Sequence, residues 1–87
     1  MKENKHFVYI LKCGDGTYYT GYTTDVQKRL ITHEMGKGAK YTRGRAPLSL
    51  VYESSFSTKS EALKAERAIK KLTKAQKKNL IDSGESK

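Results

Sequence analysis

The run Phe7-Val8-Tyr9-Ile10-Leu11 is apolar, β-branched and aromatic, and it breaks at Gly14-Asp15-Gly16, which is hairpin-turn chemistry. A second β-like run, Tyr18 to Thr23, follows at once, so the two strands are expected to pair antiparallel. Loop length decides which side chains share a face, because a one-residue slip reverses every one of them. A three-residue loop sets Cys13 opposite Thr17, Leu11 opposite Tyr19 and Tyr9 opposite Gly21. Tyr9 and Tyr19 then share a face, whereas a two-residue loop would separate them. The three-residue register is the one expected.

Beyond the hairpin the apolar period changes from two to about 3.6. Thr24 as N-cap with Gln27 three residues on reads as a capping box, opening a helix that runs to about Met35 and stops at Gly36. Val26, Leu30 and His33 fall on one face of it, with Arg29 at the edge. Gly36 to Pro47 reads as a glycine-rich, basic loop. Leu48 to Ser54 alternates around Leu48, Leu50 and Tyr52 as a third strand. Thr58 with Glu61 opens a second helix with the stripe Ala62, Ala65, Ile69 and Leu72. Thr73 with Gln76 opens a short third helix ending near Ile81. The order β-β-α-β-α-α describes an α+β domain, a three-stranded antiparallel sheet flanked by helices. Residues 7–82 form the single domain, with 1–6 a flexible N-terminus and 83–87 a flexible tail.

At 87 residues there is room for one small core, and 36% hydrophobic content without tryptophan keeps it thin. No segment approaches the ~18 apolar residues of a membrane helix. Cys13 is the only cysteine, which argues against a disulfide scaffold, and Met1 to His6 lacks an apolar signal-type stretch, so a cytoplasmic location is expected. Eighteen Lys and Arg against nine acids give a net charge of +9, which favours a polyanionic partner. Lys37 to Arg45 holds four basic residues and no acid. Its glycines allow close backbone approach, so Lys37, Lys40, Arg43 and Arg45 suit phosphate contacts, and Tyr41 suits stacking on a base. The cations Lys64, Arg67, Lys71 and Lys74 point away from Glu66 on the second helix and read as a solvated face.

Glu66 falls between Ala62 and Ile69, inside the apolar stripe, where the other acids have solvent-facing positions. A carboxylate there is costly unless it is paired or binds a metal. The plain explanation is a salt bridge to Arg29 or to a lysine at the rim. The chemical one is a hard oxygen ligand beside a guanidinium and two phenols, since Mg²⁺ commonly takes one or two carboxylates and fills its shell with water and phosphate oxygens.

Taken in order, Phe7-Val8-Tyr9, Tyr19-Thr20-Gly21, Lys28-Arg29-Leu30 with His33, and Glu66 resemble the GIY-YIG nuclease superfamily, most closely its small single-domain stand-alone bacterial branch. The likeness spans roughly residues 7 to 72. It departs at Phe7, where the family's first triplet has glycine, and at Thr20, where the second has isoleucine. The resemblance implies a metal-dependent endonuclease hydrolysing DNA phosphodiester bonds, with Tyr9, Tyr19, Arg29 and His33 catalytic. It also implies Glu66 as ligand of one divalent ion, Mg²⁺ or Mn²⁺, and Gly21 as a structural turn. DNA is expected rather than RNA, with specificity structural or borrowed from a protein partner. The alternative is a non-catalytic nucleic-acid-binding domain that keeps the fold. In the plainest reading the tyrosines are strand aromatics and His33 a satisfied core histidine.

Overall fold

The computed structural model describes residues 5–35 and 47–84. The expected loop from Gly36 falls almost wholly outside them, and with it Lys37, Lys40, Tyr41, Arg43 and Arg45. The elements run β1 (His6–Lys12), β2 (Tyr18–Thr23), α1 (Val26–Glu34), β3 (Ser49–Phe56), α2 (Lys59–Lys70) and α3 (Lys74–Gly84). The three strands form one antiparallel sheet in the order β2-β1-β3, so β1 is central and β2 is an edge.

The hairpin has the expected register, with Tyr9 opposite Gly21 and Leu11 opposite Tyr19. The Cys13 N–H donates to Thr17 O at 2.8 Å and the Gly16 N–H to Cys13 O at 2.9 Å. Gly16 sits at φ +87°, the left-handed position that a three-residue hairpin loop needs and glycine supplies without strain. Asp15 Oδ1 accepts from both the N–H and the hydroxyl of Thr17, which locks the turn.

Side chains sort onto two faces. On one, Val8, Ile10, Ala62, Ile69 and Ile81 form a buried cluster beneath α2 and α3. On the other, Tyr9, Leu11, Cys13 and Leu48 are buried with Tyr19, Leu30 and Leu50 packed against them, and α1 covers this side. The expected alternation of Leu48, Leu50 and Tyr52 on one face does not hold through β3. Ile10 pairs with Tyr52 and Leu11 with Leu50, so the register shifts at Val51. A bulge of one residue reverses the alternation. Leu48 and Leu50 therefore join the Tyr9 face while Tyr52 packs under α2 and α3.

Two more expectations change. The N-cap of α1 is Asp25, not Thr24: its Oδ1 accepts from the Lys28 N–H at 3.1 Å. A carboxylate at this position also meets the positive end of the helix dipole, and Thr23 Oγ1 takes the Asp25 N–H. Gly21 is not at a turn. It lies inside β2, where a Cβ would collide with the Tyr9 hydroxyl and come within 2.6 Å of its Cζ. The caps of α2 and α3 are as expected, Thr58 accepting from the Glu61 N–H and Thr73 exchanging bonds with Gln76. α3 continues past Ile81 to Gly84, and the Ser83 hydroxyl bonds back to the carbonyls of Asn79 and Leu80.

Candidate active site

Three rings meet on the face that α1 covers. Tyr9 comes from β1, Tyr19 from the edge strand β2, and His33 from the last turn of α1. Ring centroids lie 6.3 Å apart for Tyr9–Tyr19, 6.0 Å for Tyr9–His33 and 5.3 Å for Tyr19–His33, all tilted or edge-on. The Tyr9 hydroxyl is hydrogen-bonded to His33 Nε2 at 3.0 Å. Both residues are only 2% exposed. The hairpin register aims the two phenols the same way, and the helical spacing of Val26, Leu30 and His33 turns the imidazole onto them.

Gly21 determines where the Tyr9 phenol goes. With no side chain opposite, the ring lies across β2 against Gly21. Arg29, one turn before His33 and exposed at the surface, lies near enough to the Tyr9 phenol to act on its ionisation. Glu66 on α2 is near enough for its charge to act weakly on the same phenol. Burial pushes the Tyr9 phenol above its ordinary value of 10.0. The nearby Arg29 guanidinium pulls it down, while Tyr19 and Glu66 push it up, and desolvation wins. His33 is lowered from 6.5, first by burial and then by the Arg29 charge, so the imidazole is neutral at pH 7.

The Glu66 side chain is 18% exposed, half-sunk in the stripe as its sequence position implies. Its partner is Lys70, one turn along α2, at 3.2 Å with the lysine 53% exposed. Such an i,i+4 pair is worth only about 0.3–0.5 kcal/mol, so a stronger cation can displace it. Among the described residues there is no cluster of three or more His, Cys, Asp or Glu able to hold a metal. The donor set therefore does not make a preformed cage. It does fit one hard divalent ion shared with water and phosphate oxygens, because Mg²⁺ is ordinarily held by one or two carboxylates plus substrate.

Tyr9, Tyr19 and His33 thus meet, with Arg29 and Glu66 near enough to influence the Tyr9 phenol, while the five residues expected in the basic loop lie outside the described part. Two features escaped the sequence reading. Beside Arg29 a polar groove of about 170 Å³ is lined by Thr23, Thr24, Asp25, Lys28 and Thr32. Its signal was present in the hydroxyl-rich start of α1 followed by Lys28-Arg29, a pattern suited to anions. The buried Thr20, 3% exposed, has a hydroxyl with no hydrogen-bond partner among the described residues, and it occupies the position where the resemblance pointed to isoleucine.

A family model described as the GIY-YIG catalytic domain matches residues 5–79, and the chain belongs to that family. Within it, the chain is similar to the small UPF0213 proteins. It is 59% identical over 76 residues to UPF0213 protein VNG_2274C of Halobacterium salinarum, covering 87% of this chain and 99% of that protein. It is 57% identical over 81 residues to UPF0213 protein SERP0126 of Staphylococcus epidermidis, covering 93% and 99%. Among solved structures, the solution NMR structure of EF2693 from E. faecalis superposes with a TM-score of 0.65 at 45% identity, over 94% of this chain and 88% of that one. That of UPF0213 protein BH0048 from Bacillus halodurans gives 0.59 at 52% identity, over 88% and 82%.

Proposed function

We propose that the chain is a metal-dependent endonuclease that hydrolyses DNA phosphodiester bonds, directed by the shape of the DNA rather than by its sequence. The observation that carries this reading is the buried Tyr9–His33 hydrogen bond with Arg29 and Glu66 acting on the same phenol. Membership of the GIY-YIG family supports it. The net charge of +9 supports a polyanionic substrate, and no described helix is long and apolar enough to cross a membrane.

In this mechanism Arg29, exposed at the rim, holds the scissile phosphate through its planar fork and stabilises the charge that develops there. Tyr19 orients the attacking water. As the water oxygen bonds to phosphorus, its proton passes to the Tyr9 oxygen, and the Tyr9 proton passes to His33 Nε2. A neutral imidazole is required to receive it, which the lowered pKa of His33 ensures. A phenol raised above 10.0 is a poor free base, so the relay avoids a bare phenolate. The P–O bond to the leaving oxygen breaks, and that oxygen takes a proton from solvent. A divalent ion, Mg²⁺ or Mn²⁺, held by Glu66 together with phosphate oxygens would neutralise phosphate charge and stabilise the leaving oxygen.

Lys37, Lys40, Arg43 and Arg45 extend the phosphate contacts in this reading, and Tyr41 stacks on an exposed base. Specificity beyond DNA shape comes from a protein partner, and the protein acts in the cytoplasm. The raised pKa of Tyr9 favours the second reading, a nucleic-acid-binding domain that keeps the fold without turnover.

Supercoiled plasmid and single-stranded DNA incubated with Mg²⁺ or Mn²⁺ separate the two. Nicking by the native protein that EDTA stops and Glu66→Ala removes supports the nuclease. Salt-sensitive binding without nicking supports the binding domain, and equal nicking by both proteins sinks the assignment of Glu66.

A further inference from the structure

A second basic site lies on the opposite side of the hairpin. A pocket of about 180 Å³ is lined by Thr17 and Tyr18, where β2 begins, and by Lys74 and Lys77, one turn apart on α3. The Lys74 ammonium reaches over the turn, coming within 3.9 Å of where a Cβ on Gly16 would stand. The turn beneath it is rigid, because Asp15 is bound to the N–H and hydroxyl of Thr17. The stretch of chain that carries these lysines is strongly positive: from Lys64 to Lys78 it holds seven basic residues and Glu66 as the one acid. Cations gathered on a helix face repel one another unless an anion neutralises them. Two lysine ammoniums beside one concavity are donors for a phosphate group, while the Thr17 hydroxyl is already given to Asp15 and shapes the wall.

We infer that this pocket binds a backbone phosphate of the same nucleic acid, away from the bond that is cut. The inference rests on the proposed nucleic-acid substrate and extends its footprint to the second face of the sheet. Tyr18 and Tyr19 are neighbours on the edge strand and point to opposite faces, Tyr18 toward the α2–α3 side and Tyr19 toward Tyr9. DNA lying along the β2 edge therefore meets Arg29 on one side and the Lys74–Lys77 pocket on the other. Duplex DNA offers one negative charge per ~1.7 Å of axis, so phosphate spacing does not limit such a contact. Glu66, already occupied by Lys70, does not compete for these lysines.

The test is the salt dependence of binding to a fluorescein-labelled DNA duplex, measured by anisotropy without divalent metal. It compares the native chain with Lys74→Gln/Lys77→Gln and with Lys59→Gln/Lys64→Gln, two doubles of equal net charge. Neutralising two phosphate contacts reduces the slope of log K against log salt by about 1.8. That reduction is expected in the Lys74/Lys77 double, with at least tenfold weaker binding at moderate salt, and little change in the other. Equal losses in the two doubles reduce the pocket to bulk charge and overturn the inference while leaving the nuclease reading intact. No binding by the native chain even near low salt of about 50 mM overturns both.

Discussion

The Tyr9 hydroxyl stands 3.0 Å from His33 Nε2 although 24 residues separate the two in the chain. A central strand and the last turn of α1 must pack in one register to bring them together. The pair joins a phenol that burial keeps protonated to an imidazole that burial keeps neutral. In the tautomer that places the imidazole proton on Nδ1, Tyr9 donates and Nε2 accepts, the two states a proton relay needs at rest.

His33 makes stability depend on pH in a definite direction. Its folded pKa lies below 6.5, so the unfolded chain binds a proton that the folded one refuses. Stability from this group is complete above about 6.5 and is lost as the pH falls from there toward the depressed folded value. Thermal melts across that range should show Tm falling on acidification, with a shallower fall in His33→Gln. Parallel curves for the two proteins would remove His33 as the cause.

Gly21 and Tyr9 should behave as a coupled pair. A Cβ at Gly21 occupies the space of the phenol, so Gly21→Ala is expected to cost about 1–3 kcal/mol through overpacking and to displace the hydroxyl. With Tyr9→Ala already in place the same change should be nearly neutral. Chemical denaturation of the two single variants and the double gives the coupling energy, and additive losses would contradict the packing described.

Thr20 carries a buried hydroxyl without a partner among the described residues, and Thr20→Val replaces it with a methyl of similar size. The expected gain is about 1 kcal/mol, which raises Tm by about 4–8 °C in a domain of this size. A loss of stability on calorimetry would mean that the hydroxyl has a partner in solution.

Divalent ions should bind the free protein weakly. Glu66 is a single carboxylate already paired with Lys70, so Mn²⁺ at ordinary concentrations is expected to move Tm hardly at all unless DNA is present. A large shift in Tm by Mn²⁺ alone would reveal protein ligands beyond Glu66.

Much of this arrangement was legible in the sequence because local chemistry dictated it. Gly14-Asp15-Gly16 set the loop length, and loop length set the face of Tyr9 and Tyr19. Helical spacing put His33 on the buried side of α1 and Glu66 in the stripe of α2. What escaped depends on contacts between distant segments. The bulge at Val51, which sends Leu50 and Tyr52 to opposite faces, arises from pairing with β1 and leaves no periodic mark within β3. Gly21 read as a turn residue because the ring that crosses it belongs to another strand. The cap of α1 moved by one residue because Asp25 outcompetes Thr24 as an acceptor at a helix start. The Lys74–Lys77 pocket needed the turn and α3 brought together, so Lys74 read only as part of a solvated face.

The most direct measurement is single-turnover cleavage of end-labelled DNA by the native chain and Tyr9→Phe, with Mn²⁺ and saturating protein. The variant keeps the ring against Gly21 and removes only the hydroxyl that bonds His33. A rate lower by about 10²–10⁴-fold with DNA binding unchanged is the predicted result. Cleavage by Tyr9→Phe at the native rate would contradict the proposal that this phenol moves the proton.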